Sequence, residues 1–394
     1  MPLSESHWSA RRKLMALNPT VANLNAGTLS PTPLPIIERC NQLRMMQADN
    51  PSDFLWRQTP PLIDRSREAL AKYLNCHTRD LLLLPNVTNA LNAVIRSIDL
   101  PAGSEILTTN HEYGAILNAW KVRAEEKCWT IRTFEIPHLS DNPADYVGAL
   151  AAAVGPQTRV LFFSHVACTT GLLLPAQELC DEARKHDLLT VIDGAHAPGG
   201  TPVDLTTINA DFYGANLHKW VMCPAGAGFL HVQSKHHRAL NPAVISWGYP
   251  YDFAKADEPS GAGGSKFHFS LEYQGVSDRV PQMVVPEVLS FRESLGGEGG
   301  IHARVRDLGD YALDTIGKIL RPAIPRHVDR RGPLVSFEFP PCDPVATRNR
   351  LYHQFQVECP ITQAGVRFFL RISTAWFNST YEIDRLGEAI GALT

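Results

Sequence analysis

Nothing in these 394 residues approaches the roughly eighteen uninterrupted apolar positions that a membrane helix needs, so no membrane partner is expected. The opening stretch from Met1 to Leu14, MPLSESHWSARRKL, has neither an apolar run nor a small-residue cleavage site, and no targeting signal is expected. Eight cysteines and fifteen histidines make no C-x-x-C pair and no H-x-x-x-H. Close pairs such as Cys76-His77 lack further ligands at zinc spacing, so no metal site is expected. Scattered thiols in a chain of this size read as reduced, mostly buried cysteines of a cytoplasmic protein. Long basic runs are missing as well. The cluster His236-His237-Arg238 is too short for a nucleic-acid footprint and reads as a solvated turn, and a formal net charge of −3 makes nucleic acid a poor partner.

What is present is globular: 44% hydrophobic and 20% charged residues, in a chain too long for one ordinary core. Short β-branched runs alternate with amphipathic stretches of about 10–15 residues, the pattern of an α/β protein with a mostly parallel sheet and helical crossovers. Strands are expected at Glu105–Thr109, Arg159–His165, Leu188–Asp193, Ala210–Gly214 and Gly228–Val232, and helices at Thr88–Ile98, Ala115–Glu126 and Ala176–His186. The run Leu81–Leu84 ends at Pro85 and is expected as a strand end or apolar loop. Two glycine-rich segments, Trp247–Phe267 and Leu295–Gly300, read as hinges or linkers. A helix near Ile301–Leu320, strands at Leu334–Phe339 and Phe368–Ser373 and a closing helix then describe a smaller α+β unit. The expected division is a large α/β domain over 20–275 and a small α+β domain over 276–394 that takes in the N-terminal arm 1–19.

The sharpest chemistry lies between Asp193 and Lys219. The strand LLTVID delivers Asp193 at its C-terminal end, followed by Gly194, Ala195 and His196. Ligands of open α/β sheets bind outside the carboxyl ends of the strands, so an acid there faces the crevice. A second strand, ADFYGA, ends in Asn216-Leu217-His218-Lys219-Trp220, so an acid, a histidine and a lysine emerge at one sheet edge. Singly, Asp193 can be a helix cap and Lys219 a solvated lysine. A lysine between His218 and Trp220, with apolar stretches around it, is uncomfortable at a surface.

The strings VIDGAHAPG and GANLHKWVMCPAGAGFL resemble the cofactor-binding segments of class V aminotransferases, a family that includes cysteine desulfurases, kynureninases and isopenicillin N epimerases. The similarity is greatest to the isopenicillin N epimerase-like branch and runs from Leu24 to about Asn378. D-x-x-H followed 26 residues after its acid by H-K, with the other segments in family order, is a specific combination. The resemblance implies the fold of type I enzymes dependent on pyridoxal 5′-phosphate (PLP). Lys219 would carry the cofactor as a Schiff base. Burial or a nearby cation would lower its pKa enough to make the amine nucleophilic. Asp193 would pair with the pyridinium nitrogen, keeping the ring an electron sink. His196 and His165, the latter in FFSHVACTTG, would lie near the phenolic oxygen, although His165 also reads as a core histidine satisfied by backbone.

The remaining roles follow from the same resemblance. In PNVTNALN the turn at Val87 and Thr88 precedes a helix whose free N–H groups favour an anion, and there the family holds the phosphate. Asn216 and His218 match further phosphate contacts, and Tyr113 takes the place of an aromatic ring stacked on the pyridine. In FFLRISTAWFNS, Arg371 would bind the α-carboxylate of an amino-acid substrate, since a planar guanidinium matches a carboxylate bidentately. Asn25 and Gly27, in LNAGTLSPTP, would sit by the substrate.

Two departures stand out. Where many relatives carry a Gly-Thr that reaches the cofactor phosphate of a neighbouring subunit, this chain has Gly275-Val276-Ser277. A homodimer with active sites at the interface is expected, with backbone N–H groups or Ser277 in place of the threonine hydroxyl. Cys359, in FQVECPI, alternates like a strand residue and reads as structural rather than as a persulfide-forming nucleophile. The shared chemistry implied is removal of the Cα proton through an external aldimine and a quinonoid. Epimerisation or C–S lysis is favoured, with transamination or a catalytically silent PLP-binding protein as alternatives. A nicotinamide enzyme is disfavoured because GAGFL at Gly226 leads into a strand rather than a helix.

Overall fold

The structure is a computed structural model and describes residues 3–325 and 327–393. Seven strands form the central sheet: β1 Leu81–Leu84, β2 Glu105–Thr109, β3 Thr130–Phe134, β4 Thr158–Ser164, β5 Leu189–Asp193, β6 Phe212–Asn216 and β7 Gly228–Val232. Their spatial order is β1-β7-β6-β5-β4-β2-β3, with only β7 running against its neighbours. The expected mostly parallel α/β sheet is therefore present.

Strand pleating explains how the sheet is covered on both faces. Leu161, Phe163, Ile192, Tyr213 and Phe229 join one buried cluster, while their alternates Val160, Phe162, Val191, Phe212 and Leu230 join another. The second cluster takes in the apolar faces of α1 (Val87–Ser97) and α2 (Gly114–Lys127). The first takes in α3 (Ala176–Lys185), residues of the earlier helix Thr59–Leu74, and α4 (Val285–Ser294). A third cluster joins α5 (Gly297–Ile316), a three-stranded antiparallel sheet of β8 Leu334–Phe339, β9 Ile361–Ala364 and β10 Arg367–Ser373, and α6 (Thr380–Gly391).

Leu81–Leu84 is a full strand, buried along its length. It is braced by Glu272, at the end of a short helix Lys266–Glu272. The Glu272 carboxylate accepts from Leu83 N–H at 2.8 Å, Arg67 Nη1 at 2.5 Å and Arg279 Nη2 at 3.0 Å. Burial opposes its charge, but the two guanidiniums outweigh that and hold the group down at about 2.

The segment Leu295–Gly300, expected as a linker, is instead the start of α5. Gly296 is the N-cap at φ 114°, a conformation glycine adopts freely, and the helix begins at Gly297. The short helix at Lys266 likewise begins inside the other expected linker. Strand β3 and the helices Leu34–Asp49, Thr59–Leu74 and Pro143–Ala153 carried no expectation. Cys359 is buried between two strands, its thiol donating to Arg371 O at 3.4 Å, and Cys128 is exposed. Among the described residues no helix is long and apolar enough to cross a membrane.

Candidate active site

A cavity of about 320 Å³ opens at the carboxyl ends of the parallel strands, where β4, β5 and β6 end in Ser164, Asp193 and Asn216. Of the residues singled out above, Gly27, Val87, Thr88, Tyr113, Asp193, His196, Asn216, His218, Lys219 and Arg371 all line it. Two glycines let the backbone come this close. A Cβ on Gly194 would lie 2.2 Å from the Tyr213 ring, and one on Gly228 would lie 2.7 Å from Asn86 Cα, pushing the turn before α1 off the sheet.

Asp193 is buried, and its Oδ1 accepts from Ala195 N–H at 2.9 Å. Burial raises its pKa, with Ala195 and Lys219 opposing the rise. A carboxylate so withdrawn from water fits a cationic partner in the cavity. Lys219 Nζ lies 3.0 Å from His196 Nε2, and Trp220 Nε1 donates to His196 Nδ1 at 3.4 Å. An indole N–H can only donate, so Nδ1 accepts and the imidazole proton sits on Nε2, directed at the lysine nitrogen. That arrangement suits a neutral amine. Burial brings Lys219 down to about 8 against the pull of Asp193, while burial and then the Lys219 charge push His196 well below its ordinary value.

The turn entering α1 is bound to β6 by Val87 N–H, which donates to Asn216 Oδ1 at 2.9 Å, and Asn86 caps the helix by accepting from Asn89 N–H at 2.8 Å. With Val87 engaged, Thr88 N–H is the donor this helix end keeps for an anion. His218, also on the cavity, has a buried Nδ1 with no hydrogen-bond partner among the described residues. An isolated acid at one side, a depressed lysine, and a helix N-terminus with an orphaned histidine nitrogen together match what PLP requires.

Arg371, on β10, is 7% exposed. Its Nη1 donates to Cys168 O at 3.0 Å and its Nη2 to Thr28 Oγ1 at 3.2 Å and Asn25 Oδ1 at 3.4 Å, while Nε is buried without a partner. Burial lowers its pKa somewhat, yet a guanidinium stays charged.

Some expected residues stand elsewhere. His165 does not line this cavity. One residue beyond Ser164, it follows the pleat to the face of Phe163 and bonds the Tyr213 hydroxyl through Nδ1 at 2.9 Å, bordering a separate cavity with Leu173 and Arg330. Asn25 touches the site only through Arg371 and Thr28. Gly275 and Val276 do not line the cavity, and Val276 is 74% exposed; the preceding Gln274 bonds Asn89 of α1 at 3.1 Å.

Conversely, Thr28, Ser164, Val166, Cys168 and Ala195 line the cavity without having been singled out. Behind it, Glu112 accepts from the hydroxyls of Thr109 and, at 2.7 Å, Ser164. Burial, helped by nearby Asp193, lifts Glu112 to about 7. The turns after β5 and β6 are tied by buried Arg292 of α4, which donates to Gly199 O at 2.8 Å and Trp220 O at 2.6 Å while Glu298 holds its other edge at 2.6 Å.

The family model for aminotransferase class-V matches residues 21–386. The chain belongs to this PLP-dependent family. Among curated relatives, isopenicillin N epimerase of Amycolatopsis lactamdurans is 38% identical over 98% of both chains, and that of Streptomyces clavuligerus is 38% identical over the whole of both. A putative L-cysteine desulfhydrase of Oryza sativa subsp. japonica is 26% identical over 95% of this chain and 83% of its own. Among solved structures, a C-DES mutant with glycine covalently linked to its PLP cofactor matches with a TM-score of 0.82 at 22% identity, covering 96% of this chain and 98% of that one. The cysteine desulfurase CsdA of Escherichia coli gives 0.80 at 19% identity over 99% and 98%. At these identities the solved structures speak for the fold alone.

Proposed function

We propose that this chain inverts the α-carbon of an amino acid, holding PLP through Lys219 and the substrate carboxylate through Arg371. The observation that carries this reading is that Lys219, Asp193 and Arg371 share one cavity. PLP, when bound, supplies an acceptor for the electron pair released at Cα. Asp193 holds a positive charge at the ring nitrogen. Thr88 N–H and His218 are the candidate phosphate donors, and Asn216 sets the turn that carries Thr88. Tyr113 offers its ring at the cavity's exposed side. Lys219 removes the Cα proton, a task suited to an amine whose proton affinity burial has reduced. His196 orients that amine. Arg371 fixes the carboxylate and with it the direction of the Cα–H bond.

The 38% identity to two isopenicillin N epimerases over nearly the full chain favours inversion over C–S cleavage, for which the relatives are more distant. We further propose a homodimer in which the exposed Gly275-Val276 turn meets a second copy near its cofactor phosphate, and a cytoplasmic location. The deciding experiment incubates PLP-loaded protein in D₂O with single enantiomers of an amino-acid panel, including cysteine and substrates with long polar side chains. Chiral chromatography and mass spectrometry should find the opposite enantiomer carrying deuterium at Cα. Release of sulfide and a 2-oxo acid without inversion would replace this reading with a C–S lyase.

A further inference from the structure

One reactive group on the cavity wall has no part in the roles above. Cys168 lies on the loop between β4 and α3. That loop is fastened on several sides: Ala167 N–H donates to Leu172 O at 2.9 Å, Gly171 N–H to Ala167 O at 2.8 Å, and the Ser336 hydroxyl to Thr169 O at 2.7 Å. The Cys168 carbonyl itself accepts from Arg371 Nη1 at 3.0 Å. Arg371 is more than nine-tenths buried, lines the cavity and keeps an Nε–H without a partner among the described residues. Independently of the thiol, such a cation marks a seat for an anionic ligand, because buried donors are rarely left unsatisfied.

Inverting a carbon needs a base on one face and an acid on the other. A single amine that removes a proton and returns it on one face regenerates the same hand. The other proton-bearing groups of the cavity have other places, Thr88 and His218 at the phosphate in the reading above. The Ser164 hydroxyl donates to Glu112. The Thr28 hydroxyl donates to Asn25 and accepts from Arg371. His196 stands beside Lys219, between it and Trp220, and so serves the amine's side. Tyr113 is 47% exposed, at the solvent side of the cavity, and in the reading above its ring is given to the cofactor. The Cys168 thiol has only a 3.8 Å contact with the Thr169 hydroxyl, and its carbonyl touches the group that would seat the substrate carboxylate, one bond from Cα.

We propose that Cys168 is the second proton donor of this site, its thiol protonating Cα on the face opposite Lys219. This rests on the epimerase reading. On one face the Cα–H bond breaks and the Lys219 amine gains the proton. On the other the S–H bond breaks and a new Cα–H bond forms from the electron pair left on carbon. The product is neutral overall relative to the substrate, and the enzyme is left with an ammonium at Lys219 and a thiolate at Cys168. Transfer of one proton from the first to the second, directly or through solvent, restores both. Burial raises the thiol's pKa, with Arg371 opposing, which keeps the resting group protonated and able to donate.

The test uses PLP-loaded parent, Cys168→Ala and Cys168→Ser with one enantiomer of the amino acid that the parent inverts best, in D₂O. Loss of the Cα proton with retained configuration is followed by NMR, and inversion by chiral chromatography. General acid catalysis contributes about 10²–10⁴-fold, so Cys168→Ala should lose inversion by that factor while exchange on the Lys219 face falls far less. Cys168→Ser keeps the shape with a weaker acid and should lie between. In a second measurement, iodoacetamide alkylation of Cys168 in the parent, mapped by mass spectrometry, should slow when the amino acid is present. Inversion by Cys168→Ala at the parent's rate overturns the proposal. So does an equal fall of exchange and inversion in both variants, which would make the residue a support for Arg371, or alkylation that the amino acid leaves unchanged. A parent that inverts no amino acid removes the underlying reading instead, and the proposal with it.

Discussion

Arg371→Lys separates the shape of the substrate handle from its charge. In the structure the guanidinium is held by Cys168 O, Thr28 Oγ1 and Asn25 Oδ1 and still has an unpartnered Nε–H. Lysine keeps the positive charge but presents no planar fork, so one of two parallel bonds to a carboxylate is lost. A charge-assisted hydrogen bond contributes about 1.5–3 kcal/mol. At 1.4 kcal/mol per decade this corresponds to a dissociation constant weaker by roughly one to two powers of ten. The same change strips the Cys168 carbonyl of its donor, so a lower melting temperature is expected as well. The assay is a spectral titration of PLP-loaded protein with amino acids, alongside PLP content by absorbance after denaturation. PLP content should equal the parent's, the Kd for α-amino acids should rise, and amines without a carboxylate should bind both proteins alike. Parent-like Kd values for every amino acid tested would place the handle elsewhere and remove the main residue behind an amino-acid substrate.

Three further outcomes are expected. Borohydride should fix PLP on the parent but not on Lys219→Ala, and capture of PLP by the parent apoprotein should quicken as pH rises toward about 8, where the amine loses its proton, and level off above it; label retained on the variant would point to another lysine. Asp193→Asn should still bind PLP but slow Cα-proton exchange by orders of magnitude, because an amide cannot hold the ring nitrogen protonated; near-normal exchange in a deuterium assay would reduce Asp193 to a turn residue. Glu272→Gln breaks a buried pair with Arg67 and should cost about 3–5 kcal/mol in denaturant unfolding. Glu272 is lowered in the folded state, so its contribution is complete above its unfolded pKa of about 4.3 and fades as pH falls toward 2; the parent's stability advantage should shrink in that acid window and nowhere else.

How much of this was legible in the sequence depended on where each residue sits. Strands buried on both faces, such as Glu105–Thr109 and Gly228–Val232, stand where their apolar runs predict. Strand β3 did not announce itself because it lies at the sheet edge and carries Arg132, whose charge is paired with Glu105 of the next strand at 2.7 Å. The glycines of LGGEGG read as a break, but Glu298 among them is clasped by Arg292, a tertiary contact that no local propensity reports. Asp193 and Lys219 were visible because a strand followed by a short turn delivers them to the same edge. Cys168, Thr28 and Ser164 belong to types found anywhere, and only folding brings them to the cavity. His165 shows the finest limit, since a single step along a pleated strand moves a side chain from the cavity to the opposite face.

The Arg292 clasp bears on how the site tolerates motion and change. Because one rigid guanidinium grips the turn after Asp193 and the turn after Lys219 together, a displacement of either drags the other along, and the spacing between acid and amine is conserved while their common position drifts. A guanidinium bonded to both turns opposes their separation more than their common movement. A substitution at 292, which does not line the cavity, would remove this tie and leave the pairing of β5 with β6 alone to hold the acid and the amine in place.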